Sequence, residues 1–315
     1  MSQPTLRTVT RTQGNNEALK TGAVEPHGFS FEFEEVPVLI KAFRRMVRGL
    51  EFDVSEMAFT TYLCAKAHGV RFTAVPVFLV RGFHQQAILV NRNAGIQHPK
   101  DLEGRRVGVN RGYTVTTGVW ARGILEKDYG VDLDRVTWVL SGDEHVADYQ
   151  PPANVVPIEP GQDLADLVVS GELAGVVGAS VDHPDVVPLI PDAVEAGLAA
   201  LTGRGVYPIN HLVAVKDDVL AEHPEVAAEV FDAFARAKNL YVQRLREGDI
   251  TEPTAMDRLY QRVLDVTGED PLPYGIEPNR ATIDELMEHA VHQHILDRPL
   301  AMSDVFAPST LDLIA

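Results

Sequence analysis

Four short stretches of this chain carry side chains able to hold an anion or move a proton. The first is Ser55-Glu56, directly after the apolar Phe52-Asp53-Val54. A half-buried carboxyl there has a raised pKa and can act as an acid. The same pair also reads as a serine N-cap followed by a first-turn acid. The second stretch holds Arg81 and His84. Arginine orients a carboxylate and histidine transfers protons near neutral pH; the plainer reading is a pair making structural hydrogen bonds. The third is Asn110-Arg111-Gly112-Tyr113-Thr114 with Thr116 and Thr117. A strand, a glycine turn and hydroxyls opening a helix make a carboxylate or phosphate cradle, with Arg111 adding a bidentate grip. The alternative is Thr114 as an ordinary N-cap with Arg111 in solvent. The fourth is Tyr207, Asn210 and His211, where His211 is either a second titratable group opposite His84 or a histidine satisfied by backbone carbonyls.

Three further features read as structural. His289 and His292, three apart with Glu285 four before His289, have helical spacing that can bind a metal, but no further ligand is apparent, and a solvated face is expected. Cys64, the only cysteine, sits in Thr61-Tyr62-Leu63-Cys64-Ala65 and reads as a small buried hydrophobe. Asp182-His183-Pro184-Asp185 fits a turn as well as a binding loop. No Walker loop, dinucleotide fingerprint or nucleophile elbow is present.

Strands and amphipathic helices must position these residues. Apolar runs predict strands at 6–10, 29–33, 52–54, 73–80, 87–90, 106–110, 136–140, 173–179 and 212–215. Between them, Pro37 opens a helix ending near Gly49, and others span 60–68, 114–127 and 163–170. Pro224 opens a long helix with Val226, Val230, Phe231, Phe234, Ala237, Tyr241 and Leu245 on its inner face. A last helix spans 279–296, with Asn279 as N-cap. The stretch 142–160, rich in prolines and acids, reads as a surface connection. The alternation is α/β. Crossovers near 81–84 and 202–210 divide it into one lobe of residues 1–82 plus 210–315 and an inserted lobe of 83–209, with a hinge and an interlobe cleft.

Bulk properties exclude several roles. The chain has 315 residues, 45% hydrophobic and 23% charged, and a net charge of −17. Phosphate backbones are repelled, so nucleic acid is not an expected partner. No apolar run has the roughly 18 residues that cross a bilayer, so no membrane partner is expected. The start Met1-Ser2-Gln3-Pro4-Thr5-Leu6-Arg7 lacks a basic, then apolar, then small-residue leader, and a cytoplasmic location is expected.

Four segments resemble the 4,5-dihydroxyphthalate decarboxylase family, a branch of the type II periplasmic-binding-protein-like fold. They are Asp53 to Met57; Val119 to Leu125 with Tyr129-Gly130-Val131; Val206 to His211; and Asp270-Pro271-Leu272-Pro273-Tyr274-Gly275-Ile276-Glu277-Pro278-Asn279-Arg280. The last is long and unusual in composition. The chain departs from the family near the end of its first strand, where Asn15 and Asn16 stand in place of an arginine. It departs again at Asn110-Arg111-Gly112-Tyr113, in place of a Pro-Glu-Tyr type of turn.

The resemblance implies cofactor-independent, metal-free decarboxylation of a hydroxylated aromatic carboxylate. His84, Glu56 and His211 are then the candidate catalytic residues, with His84 or Glu56 as proton donor. Arg81 and the Tyr113–Thr117 turn would anchor carboxylate, and Tyr207 and His211 would contact phenol oxygens. Asn15, Ser55, Arg111 and Asn210 complete the expected binding set. Two alternatives stand beside this: a non-catalytic binding or sensor protein for small anions, and an enzyme of the same fold acting on another aromatic acid in biosynthesis.

Overall fold

A computed structural model describes residues 3–315. Among the described residues eleven strands run, in chain order, β1 Thr5–Val9, β2 Ser30–Phe33, β3 Val54–Ala58, β4 Phe72–Arg81, β5 Ile88–Asn91, β6 Arg106–Val109, β7 Thr137–Leu140, β8 Val155–Pro157, β9 Gly175–Val177, β10 Val186–Pro188 and β11 Ile209–Lys216. The chain divides into two compact units. Unit 1 holds residues 1–82, 209–283 and 300–315, and unit 2 holds 83–208 and 284–299. No helix among the described residues is long and apolar enough to cross a membrane.

The sheet of unit 1 has the order β2-β1-β3-β11-β4. β1 is parallel to β2 and β3, and β11 runs antiparallel to β3 and β4. β4 is almost wholly buried yet contains Pro76. A proline removes one ladder hydrogen bond and is tolerated at an edge, which is where β4 lies. The long helix is Val226–Glu247, and all seven residues expected on its inner face are buried. In the helix Leu39–Gly49 the apolar stripe is also buried, except Val38, which precedes it and is exposed. Gly49 is its last residue, and Leu50 takes the left-handed conformation instead.

The sheet of unit 2 has the order β10-β5-β9-β6-β7-β8. The stretch expected to be irregular, 142–160, contains the short strand β8. Two elements carry no clear sequence signal: β10, three residues long, and the helix Ala193–Arg204, poor in large apolar residues. In unit 1 the helix Ala255–Thr267 also went unmarked.

The first lobe was expected to hold all of 210–315, but residues 284–299 pack with unit 2. The helix Arg280–His292 supplies the reason. His289 lies edge-on to Trp120, and a Cβ at Gly123 would overlap its ring, so the helix Thr116–Tyr129 offers a glycine-floored seat. Gln293 accepts from Arg122 Nε at 2.9 Å and donates to the Val119 carbonyl at 2.9 Å. The solvated face expected there therefore fails at His289, whose side chain is only 2% exposed. Asn279 is no N-cap; its amide donates to the Pro273 and Gly275 carbonyls.

Glu285 ties this helix to the same partner. Its carboxylate meets Lys127 Nζ at 3.1 Å, Arg204 at 3.6 Å and His289 at 3.8 Å. Burial alone would raise this carboxyl, but His289 and Lys127 outweigh it and lower it from 4.5 to about 2. A depressed carboxylate stabilises the fold above its unfolded pKa and ceases to do so as pH falls through the folded one. Glu285→Gln should therefore cost up to roughly 3 kcal/mol at pH 7. That difference from the unsubstituted chain should shrink between pH 4.5 and about 2. Urea unfolding at several pH values measures it, and a difference independent of pH would refute the assignment.

Candidate functional site

Unit 1 contains Asn15, Ser55, Glu56, Arg81, Asn210 and His211. Ser55 and Glu56 were expected just beyond a strand; they lie inside β3, and both are fully buried. Successive strand residues face opposite sides of a sheet, so only one of the two can share a face with a given neighbour. The register decides which. Glu56 lies opposite Val213, and His211 is two residues along β11 on the same face. Such a diagonal pair is within reach of long side chains, and His211 Nδ1 meets Glu56 Oε1 at 2.6 Å. The second carboxylate oxygen accepts the Arg11 backbone N–H at 2.8 Å. Ser55 faces the other way, and its hydroxyl bonds the Glu56 carbonyl at 2.9 Å.

The carboxylate thus fixes the imidazole through Nδ1 and leaves Nε2 for chemistry. The His211 side chain is 17% exposed while Glu56 has no exposure. Phe43 stands edge-on to the ring at 5.2 Å. Arg81 and Asn210 lie at the same end of the sheet, since Ile209 pairs with Arg81. Arg81 is almost fully buried, and its Nη2 donates to the Pro273 carbonyl at 3.2 Å and to the Asn279 side chain.

The loop after β1 lies towards the carboxyl ends of β1, β3 and β4, where the antiparallel β11 begins, the side on which open α/β sheets bind ligands. Asn16 organises it: its carbonyl oxygen accepts the Gln13 N–H at 2.8 Å, and its amide donates to the Arg11 carbonyl at 2.9 Å. Asn15 reaches across to the Leu79 carbonyl of β4 at 2.9 Å. A cavity of about 450 Å³ lies against this loop, with Tyr241 and Tyr260 on its far side. A Cβ at Gly14 would overlap the Tyr241 ring, so only glycine permits that closure.

Unit 2 contains His84, Arg111, Tyr113, Thr114, Thr116, Thr117 and Tyr207. His84 and Tyr207 are buried, and Tyr207 packs on Phe83 with ring centres 5.0 Å apart. The turn after β6 is an anion cradle, as its residues implied, but the anion it holds belongs to the chain. Glu144 accepts from the Tyr113 N–H, from Thr114 N at 3.2 Å and from Thr114 Oγ1 at 2.6 Å. The helix begins at Thr116, so Thr114 is not its N-cap. A Cβ at Gly112 would meet the Glu144 carboxylate. Arg111 is exposed with φ +74°, and its N–H bonds Ser141 Oγ at 2.8 Å. Behind the turn Arg122 is fully buried, with its guanidinium 3.8 Å from the Tyr113 ring centre and Nη2 donating to the Tyr113 carbonyl at 2.6 Å. Burial pushes the Tyr113 hydroxyl up. Sequence reasoning missed Glu144, which sits in the stretch read as a surface connection, and Arg122, which lies mid-helix among apolar residues.

Comparison with known proteins bears on this geometry. No protein-family profile matches the chain. It is 28% identical over 293 residues to a 4,5-dihydroxyphthalate decarboxylase of Comamonas testosteroni, covering 86% of each protein. A protein of the same name from Pseudomonas putida is 34% identical over 145 residues, 43% of this chain and 55% of that one. The resemblance to the 4,5-dihydroxyphthalate decarboxylases holds. In structure, a Candida albicans protein exhibiting the generic periplasmic binding protein fold matches with a TM-score of 0.57 at 14% identity, over 98% of both chains. The fold is that of the periplasmic binding proteins.

The long segment 270–280 that carried the resemblance has a structural task in unit 1. Asp270 meets the fully buried Lys238 at 2.5 Å, Asn279 and Pro273 hold Arg81, and Gly275 adopts φ +103° against the Leu313 carbonyl. Among the described residues no cluster of three or more metal-binding side chains occurs.

The cradle gives a direct test. Glu144→Ala leaves three donors without their acceptor and should lower stability by about 1–2 kcal/mol, the size of a lost helix cap. Urea unfolding reads this, and a change below about 0.3 kcal/mol would show the donors satisfied without Glu144.

Proposed function

We propose that this chain is a carboxy-lyase that releases carbon dioxide from a hydroxylated aromatic acid of the dihydroxyphthalate type. Similarity along most of the chain to a protein named for that reaction supports the reaction class. The observation that carries the mechanism is the Glu56–His211 pair, a buried carboxylate holding a partly exposed imidazole at 2.6 Å.

An aromatic carboxylate cannot simply lose carbon dioxide, because an aryl anion would remain. A ring hydroxyl makes the carbon bearing the carboxylate basic enough to take a proton first. In this reading His211 Nε2 delivers the proton while the ring hydroxyl releases its own to water, forming a C–H bond and a dienone; the phenolate left after carbon dioxide departs takes a proton back from water. The bond from ring carbon to carboxylate then breaks, its electron pair restores the aromatic ring, and carbon dioxide departs. Glu56 keeps the Nδ1 proton in place and offsets the charge of the imidazolium that must form before each turnover. His211 recovers its proton from water.

Incubation with hydroxylated benzoates and phthalates should release carbon dioxide from a dihydroxylated phthalate. His211→Gln should lower kcat by about 10²- to 10⁴-fold, the usual worth of a positioned proton donor, with urea unfolding confirming that the variant folds. Binding without carbon dioxide release from any compound in the series would overturn this reading and leave a non-catalytic binding protein. A His211→Gln variant with full rate would remove that residue as the donor.

A further inference from the structure

One peptide unit in the loop after β1 has a charged group at each end. It joins Thr10 to Arg11 and is trans, so its carbonyl and its N–H point in opposite directions. The N–H donates to Glu56 Oε2 at 2.8 Å. The Thr10 carbonyl accepts from Lys20 Nζ at 2.6 Å. A lysine ammonium and a buried carboxylate are thus joined through a single amide.

Lys20 is the last residue of the short helix Glu17–Lys20. Its side chain is 9% exposed, lies 5.3 Å from the centre of the Phe33 ring and also meets Glu35 at 2.5 Å. The peptide unit has little freedom to swing. Asn16, fully buried, donates to the Arg11 carbonyl at 2.9 Å and accepts the Gln13 N–H at 2.8 Å, which fixes the chain just beyond it.

Hydrogen bonds to charged groups are the strong ones, and bonds in a chain polarise one another. The ammonium draws electron density toward the Thr10 oxygen and so makes the Arg11 N–H a stronger donor. The peptide dipole, about 3.5 D, turns its positive end to Glu56. That carboxylate divides its charge between two donors, the Arg11 N–H and the His211 imidazole. What the first draws off is lost to the second. An imidazolium held less tightly yields its proton more readily to a ring carbon.

We propose that Lys20 is a positioning residue for the proton donor, acting on His211 through the Thr10–Arg11 peptide and Glu56. Lys20 meets the peptide on the side away from Glu56, so its part in the reaction is indirect. The proposal rests on the preceding reading for the reaction; the coupling of Lys20 to His211 stands on the hydrogen bonds within unit 1.

Lys20→Met keeps the apolar stem and removes the donor. It should lower kcat by about 3- to 10-fold, the worth of one hydrogen bond, with KM unchanged. The His211 Nδ1 proton resonance, assigned by its loss in His211→Gln, should move downfield as Glu56 pulls harder on that proton. Glu35→Gln breaks the ion pair but keeps the bond to Thr10, so it should neither lower kcat nor move the resonance downfield. Urea unfolding confirms that each variant folds. Should Lys20→Met fail to fold, Lys20→Gln, which loses the charge, decides alone by changes in the same directions. An unmoved resonance, an unchanged kcat, or the same losses in Glu35→Gln would overturn the proposal and leave the carboxy-lyase reading standing. A downfield shift in a protein that releases carbon dioxide from no compound would bear out the coupling and remove the enzyme reading.

Discussion

A carboxylate shut away from water must find its hydrogen bonds inside the protein, and Glu56 finds them in two directions. Its Oε1 takes the imidazole of His211 and its Oε2 takes the backbone of Arg11. The first bond depends on the antiparallel register of β11 against β3, and a slip by one residue would turn His211 to the opposite face. The second draws the loop after β1 over the strand ends. One buried group therefore relates the strand register, the loop and the proposed proton donor, and it does so in the interior of unit 1, where water competes least.

Other buried charges in the chain have been settled by the same rule. Lys238 has no exposure and is neutralised by Asp270. Arg81 is held by Asn279 and a carbonyl. Both sets of partners come from the segment 270–280, whose unusual composition is what made the family resemblance visible. Its prolines and glycine shape a turn that carries acceptors to two buried cations. The specificity of that segment therefore reflects architecture around the strand edge, and the residues it stabilises include one that sequence reasoning had placed against substrate.

Unit 2 shows the complementary case. The turn after β6 has the donors that an anion needs, and the helix behind it adds its dipole. Glu144 meets that need from within the chain. A motif that attracts anions does not say whose anion it attracts. The distinction matters for any reading of the glycine turn, because the space beside Gly112 is occupied by an internal carboxylate.

The alternation of apolar strands and amphipathic helices was legible from residue order alone, because period and apolarity are local properties. So were the inner face of Val226–Glu247, the burial of Cys64 and the α/β class. Elements with weak local signal escaped: β10 has three residues, and Ala193–Arg204 is mostly small side chains. For the candidate site, the sequence supplied Glu56, His211 and Asn15 as residue types capable of the chemistry. It could not supply their pairing, since 155 positions separate Glu56 from His211 and only the sheet register brings them to one face. The same holds for Glu144 in the cradle and for His289 beneath Gly123. Local periodicity is written in neighbouring residues, whereas the partner of a buried polar group is chosen by whichever distant segment the packing delivers.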